Sequence, residues 1–357
     1  MFETNIAEVH NLSAGLSLNH DYLRQNLMLT SSSAIPSDYG NLYPLINNVE
    51  SETTPGAYIQ YTYNLHNRFI AMAGLRIDHS SVYGTFVTPR FHVKWMPTDF
   101  ITLRLSAGKG YRSPHALAEN NYLMASGRRL MIDSQLKQEA AWNYGTSVAF
   151  NIPILNKTLK LNAEYYYTNF ENQTIIDYDS NPLMLFVGNL NGKSYSHTFQ
   201  IDASYPFFHG FELTAAYRYN LVKATYGGQL LAKPFQGRYK GLLTASYKTP
   251  LGLWQFDATL ALNGGGRMPT PYTTATGTPS WDTHYKAYGQ LNAQITRNFR
   301  HFSVQLGGEN LTNFKQQNPI IGYHDPWTQT FEPTMVYGPV QGAMGYISIR
   351  MNLGQRL

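Results

Sequence analysis

The feature that most restricts what this chain can fold into is a period of two in its hydrophobicity. Ile101, Leu103 and Leu105 alternate with Thr102, Arg104 and Ser106, and on a pleated strand successive side chains point to opposite faces. Leu159, Leu161, Ala163, Tyr165 and Tyr167 likewise oppose Lys160, Asn162, Glu164, Tyr166 and Thr168, and Leu213, Ala215, Tyr217 and Tyr219 oppose Thr214, Ala216 and Arg218. Leu291, Ala293 and Ile295 stand against Gln290, Asn292, Gln294 and Thr296, and Ile347, Ile349, Met351 and Leu353 against Ser348, Arg350 and Asn352. Windows of helical period are scarce, so the expectation is an all-β protein whose strands carry one apolar and one wet face.

Connection length carries a second signal. Compact turns built on Pro, Asn and Gly are expected near Asn64 to Asn67, Pro97 to Asp99, Pro153 to Asn156, Pro206 to Gly210, Pro250 to Gly252 and Asn298 to His301. Between them lie long loops, over roughly Asp21 to Thr54, Ser80 to Val87, Tyr111 to Lys137, Glu171 to Gly192, Ala224 to Gly237, Gly265 to Lys286 and Asn313 to Val340. The pattern predicts about fourteen antiparallel strands with every long loop on one side, which is how an outer-membrane barrel is built.

Composition supports lipid as the neighbour of the apolar face. Charged residues are 14% of the 357, while 27 tyrosines, 18 phenylalanines and 5 tryptophans make the chain rich in aromatics, whereas a soluble domain carries about 25% charge. Mean hydropathy is −0.33, so amides and hydroxyls, not aliphatics, have replaced the charge. No uninterrupted apolar run approaches the ~20 residues of a membrane helix. A propeller repeat is not visible, and a soluble sandwich with so little charge would be hard to keep in solution. The net charge of +5 is scattered, which argues against nucleic acid, and zero cysteines exclude disulfides and thiolate metal sites. The first residues show no signal-peptide progression.

The segment Gly108-Lys109-Gly110-Tyr111-Arg112-Ser113-Pro114-His115-Ala116-Leu117-Ala118-Glu119 resembles the G-[KR]-G-[FY]-R-x-P-x-x-x-E stretch of TonB-dependent outer-membrane receptors of the Bacteroidetes type. Gly308 to Asn313 is similar to that family's Asn-Leu segment, Gly342 to Leu353 to its terminal strand, and Thr88 to Trp95 extends the likeness over the whole chain. The resemblance implies a transmembrane β-barrel in the outer membrane and uptake of a scarce solute, whether siderophore, cobalamin, haem or oligosaccharide, without enzymatic chemistry or a resident cofactor. It implies TonB as a partner through a plug domain, lipid around the barrel, and admits a surface lipoprotein. Family members are about twice as long, with a plug inside a barrel of roughly 22 strands. Residues 1–357 are therefore expected to be the C-terminal part of the barrel, with plug and first strands absent. The final aromatic of the family is also missing, since Gln355-Arg356-Leu357 follows Leu353. The rival expectation is a complete passive porin of about fourteen strands.

Candidate chemistry is sparse. Gly192-Lys193-Ser194 lacks the earlier glycine of a phosphate loop, Val187 standing in its place. His284 beside Asp282 and Tyr285, and His324 beside Asp325, could ligate a metal on neighbouring loops, but a lone loop histidine usually faces solvent and no metal is expected. Ser196-His197 and Ser113-His115 are too commonplace in a serine-rich chain to signal a nucleophile. Arg112 and Glu119 are expected to anchor a long loop by charge-assisted hydrogen bonds. Substrate contact is expected from loop aromatics, Tyr272, Trp281 and Tyr285 on one loop and Tyr323, Trp327 and Phe331 on the last, because such rings give wide, rigid contact. Tyr165, Tyr167, Tyr217 and Tyr219 on strands are expected in the interfacial girdle.

Overall fold

The computed structural model describes residues 1–26, 48–273, 277, 279–323, 327 and 331–351. One antiparallel sheet dominates. Its strands follow chain order: β1 (Phe2–Ile6), β2 (His10–Gln25), β3 (Asn48–Leu65), β4 (Phe69–Ser80), β5 (Gly84–Thr98), β6 (Ile101–Arg112), β7 (Glu139–Ile154), β8 (Lys157–Asn172), β9 (Ser194–Phe208), β10 (Phe211–Tyr226), β11 (Tyr239–Lys248), β12 (Trp254–Asn263), β13 (Tyr288–Asn298), β14 (Phe302–Glu309) and β15 (Met344–Met351). Each pairs with its sequence neighbour, and Gln229–Ala232 adds a short flap to β10. Fourteen of these, β2 to β15, are 8 to 18 residues long, in agreement with the count read from alternation. Among the described residues no pairing joins β1 to β15, and no helix is long and apolar enough to cross a membrane.

The pairing register keeps the two faces separate across the sheet. Ile201 lies opposite Ala163 and Tyr217, and Gln200 opposite Glu164 and Arg218, so the alternation stays in phase from strand to strand here. The apolar face is bare: Leu16 is 85% exposed, Ile347 71% and Leu306 61%. Exposed apolar area on this scale marks a face that meets something other than water. Aromatics border it at both ends. Toward the short turns, Trp254, Phe256, Tyr247, Phe208 and Phe211 form a chain of rings with successive centroids 4.8–6.4 Å apart. Toward the long loops, Trp142, Tyr144, Tyr167 and His197 do the same at 4.8–6.1 and 6.3 Å, with the Tyr165 hydroxyl 2.7 Å from His197 Nδ1.

All six expected compact turns are where the sequence places them. At Leu155-Asn156 both residues have positive φ, 48° and 63°, the twist that a two-residue hairpin requires. One expected long loop is a turn instead. β4 and β5 run on through the Ser80 to Val87 stretch until Ser80 pairs with Gly84. Ser80 Oγ accepts from the Val82 and Tyr83 amides at 3.1 and 3.0 Å and closes a three-residue connection. Thr85, Phe86 and Val87 favour strand, which outweighs the local Ser-Gly punctuation. The long and short connections therefore alternate less strictly than expected.

Candidate functional site

The buried core of the described residues lies in and beside the long connections. The 113–138 segment carries a four-residue helix, Ala116–Glu119, a 3-10 turn at Asn121–Ala125 and a strand, Arg129–Ile132. That strand pairs parallel with Met184–Asn189 of the 173–193 segment, which pairs in turn with Thr174–Asp177. Leu117, Leu123, Ile132, Leu185 and Val187 meet there at 0–3% exposure. A second cluster joins Met268, Ile321 and Met335 from the 264–287 and 310–343 segments. The loops thus form a packed layer of their own, secured by burying apolar side chains at roughly 25 cal/mol per Å2.

Two ionic ties run through that layer. Arg128 and Glu332, with side chains 3% and 2% exposed, pair at 3.3 Å. Ser126 Oγ donates to Glu332 at 2.5 Å, and Arg128 donates to the Tyr178 carbonyl at 3.0 Å. Segments that leave the sheet eight strands apart, after β6 and after β14, therefore touch, as they do across the mouth of a barrel. Burial pushes the Arg128 guanidinium below its ordinary value and Glu332 offsets part of that. The second tie is bidentate: Arg267 donates to both Asp179 oxygens at 2.8 and 2.9 Å, and the Thr270 amide adds a third bond at 2.7 Å. Burial alone would raise the Asp179 carboxyl, but Arg267 and Thr270 hold it below the usual carboxylate range.

The loop aromatics separate into two groups. Trp281 is half-buried: its Nε1 donates to the Pro269 carbonyl at 2.8 Å, its ring meets Tyr272 edge-on at 5.4 Å, and the Arg128 guanidinium lies 5.6 Å from its centroid. Tyr285 is packed against Tyr337 at 5.7 Å, and burial raises its hydroxyl above the ordinary value. These three rings are engaged in holding the loops together. Tyr323, 42% exposed with its hydroxyl 2.7 Å from Asn318, and Trp327, 94% exposed, face outward, and Phe331 lies between strands of the same segment. Arg112 donates to Glu119 at 2.8 Å and to Glu139, joining the short helix to the start of β7. Ser113 donates to Glu52 at 3.0 Å and His115 bonds Glu50 at 2.6 Å, so neither serves the other. Ser196 and His197 point to opposite faces of β9. Among the described residues the His284 ring bonds its neighbour Thr283 at 3.1 Å and no other side chain, and His324 and Asp325 lie outside the described residues. Among the described residues no three His, Asp or Glu side chains are grouped to hold a metal.

Beneath the loop layer, on the wet face of the sheet, opens a cavity of about 660 Å3 that the sequence reading did not identify. Tyr122, Tyr178, Tyr226 and Phe235 supply its rings, and Lys233 and Lys240 stand at its edge. Among the described residues neither ammonium has a hydrogen-bond or ion-pair partner. Phe235 has φ +60°, an unusual conformation for a bulky side chain, and its ring meets Tyr178 edge-on at 6.1 Å. Its amide is held by the Arg267 carbonyl at 2.9 Å. Close approach of this loop to the next depends on Gly266, where a Cβ would come within 2.4 Å of the Gln236 carbonyl. The signal for Tyr226 is in the sequence, because it shares the parity of Thr214 and Arg218, not that of Tyr217 and Tyr219.

Sheet, faces and loop layer together agree with what is known of related proteins. The family model described as "TonB dependent receptor-like, beta-barrel" matches residues 2–311. Among solved structures, a mutant of the ferric enterobactin receptor PfeA from Pseudomonas aeruginosa superposes with TM-score 0.70 at 17% identity, over 95% of this chain and 50% of that one. The siderophore receptor PirA from Acinetobacter baumannii gives 0.68 at 16%, over 97% and 52%. The FrpB iron transporter from Neisseria meningitidis gives 0.67 at 16%, over 98% and 54%. The chain thus spans about half the length of these structures. No curated protein sequence matches. The match over most of its length places this chain in the TonB-dependent receptor β-barrel family.

Proposed function

We propose that the chain is the solute-recognising barrel portion of an outer-membrane receptor that imports a scarce nutrient with energy delivered through TonB. The observation that carries this reading is the loop layer: five connections from distant strands are locked together by buried apolar clusters and two ionic ties, above a cavity on the wet face. A passive channel has no need of such a tightly cross-braced mouth, whereas a receptor must hold its contact groups in fixed positions to recognise a dilute ligand. The siderophore and iron receptors to which the chain is similar favour an iron-bearing solute. The apolar outer face with its two aromatic borders fits a position in the outer membrane, with TonB contact made by a plug domain that lies outside this chain.

In this reading Tyr323 and Trp327 make first contact with the solute, and the cavity beside Tyr122, Tyr178 and Phe235 receives it. Tyr272, Trp281 and Tyr285 contribute by fixing the loops, and Arg112 with Glu119 anchors the first of them. The test is growth on limiting iron supplied as a panel of siderophores, with the gene intact, with the gene deleted, and in a tonB deletion. Loss of use of the same siderophore in both deletions is expected. Uptake that persists without TonB would favour a passive channel.

A further inference from the structure

The wet face of the sheet holds a second feature, well below the loops. Across β5 and β6 the register sets Lys94 directly opposite Arg104, and His92 opposite Ser106. Arg90 follows on the same face, opposite Gly108. Like charges placed directly opposite destabilise an antiparallel pair. Elsewhere on this face several polar groups have partners: Arg76 donates to Asp78 at 2.7 Å, Arg218, which stands opposite Lys240, to Gln200 at 2.7 Å, and Ser246 to Asp257 at 2.6 Å. Among the described residues the side chains of Arg90, His92, Lys94 and Arg104 have none. Glu164 stands in the row of Arg104 but beyond Ser147, two strand spacings or about 10 Å away.

His92, Lys94 and Arg104 border an open cavity of about 610 Å3. Its remaining polar lining includes Gln60, Thr62, Ser106, Asn143, Ser147 and Tyr166, and no carboxylate is among its lining residues. The contrast with the rim is direct, since a cavity of about 320 Å3 near the loops gathers Asp21, Glu50, Glu52 and Asp133. A concavity walled by donors, with two unneutralised cations facing each other, is complementary to negative charge. A cost accepted in the folded wall, with no compensation within it, points to an occupant.

We propose that this cavity is an anion-binding station on the inner wall, taking carboxylate or phosphate groups between Lys94 and Arg104, with Ser106 and Ser147 as flanking donors. Lys94 is four residues from the end of β5, roughly 14 Å of strand, so the station lies toward the short turns. A group that reaches it from the loops has already passed the recognition layer. The inference requires only that the wet face line the lumen, and it stands or falls separately from the role given to the loops.

The test is calorimetric titration of the full chain in detergent micelles, with citrate in one arm and inorganic phosphate in the other, at constant ionic strength. Saturable binding of at least one is expected, and the preferred arm identifies the group. Lys94→Gln and Arg104→Gln should each weaken it roughly tenfold or more, the effect of losing a hydrogen bond to a charged group. Arg218→Gln, whose guanidinium is already engaged by Gln200, should leave it unchanged. The double variant Lys94→Gln, Arg104→Gln should also unfold at the same or a higher temperature, because a like-charge pair has been removed. Absence of saturable binding in the parent overturns the proposal, as does undiminished binding in the variants. A lower unfolding temperature in the double variant would show that the two cations have structural partners, with the same consequence.

Discussion

The sheet and the loop layer are held together by different physics. In the sheet, cross-strand hydrogen bonds do the joining and the large apolar side chains stay uncovered, Ile347 and Leu306 among them. In the loop layer short strands supply few ladder bonds, yet Leu123, Leu185, Val187 and Met335 are fully buried. The lesson is that the wall borrows its apolar solvent from outside the molecule, whereas the loops make their own. One region should therefore respond to lipid and the other to substitutions at a few buried contacts.

The largest expected effect is in the loops. Arg128→Ala leaves Glu332 buried without its cation, a change that costs about 3–5 kcal/mol. Hydrogen exchange should rise in the 113–138, 173–193 and 310–343 segments while β7 to β12 keep their protection. Equal deprotection of the sheet would erase the distinction between the two regions. Next in size is the wall. Ile201→Arg, on the apolar row of β9, should impair assembly by ~2–4 kcal/mol if that row faces lipid near the midplane. Thr198→Arg on the wet row should be tolerated, and heat-modifiable migration on gels separates the two outcomes.

The smallest effect is acid sensitivity. Because Arg267 and Thr270 hold the Asp179 carboxyl below its ordinary value, the stability it contributes is complete above the unfolded value, about 3.9. It is lost as pH falls further, through the depressed folded value. The tie between the 173–193 and 264–287 segments should hold at pH 5 and loosen below about pH 4, followed by the near-ultraviolet signal of Trp281. In Asp179→Asn that transition should disappear.

What could be read from the sequence divides along the same boundary. Wall strands such as Leu213 to Tyr219 declare both their conformation and their faces, because period two is a local property of consecutive residues. The turn at Ser81 to Tyr83 reads as a long loop in the sequence because a serine cap and a left-handed Gly84, φ +79°, resemble loop composition until the strand pairing around them is known. The loop layer has no period to read. Trp281 looks exposed in a Gly- and Pro-rich stretch, but Arg128, far away in the chain, lies against its ring. Contacts of that kind are set by the course of the whole sheet, which brings together segments that leave it eight strands apart, and no local pattern records them. The charge row on β5 and β6 lies between these cases: the parity of Lys94 and Arg104 is legible, and their juxtaposition needs the register.

The central claim is that this is a membrane-spanning wall whose packed loops face the cell exterior and whose short turns face the periplasm. The chain has no cysteine, so single introduced thiols report position directly. Trp327→Cys in the last loop and Leu251→Cys in a short turn replace residues 94% and 83% exposed, which makes both sites accessible to reagent in the folded protein. On intact cells, an impermeant maleimide should label Trp327→Cys and leave Leu251→Cys unlabelled until the outer membrane is breached. Labelling of both sites on intact cells, or of Leu251→Cys alone, would contradict the account.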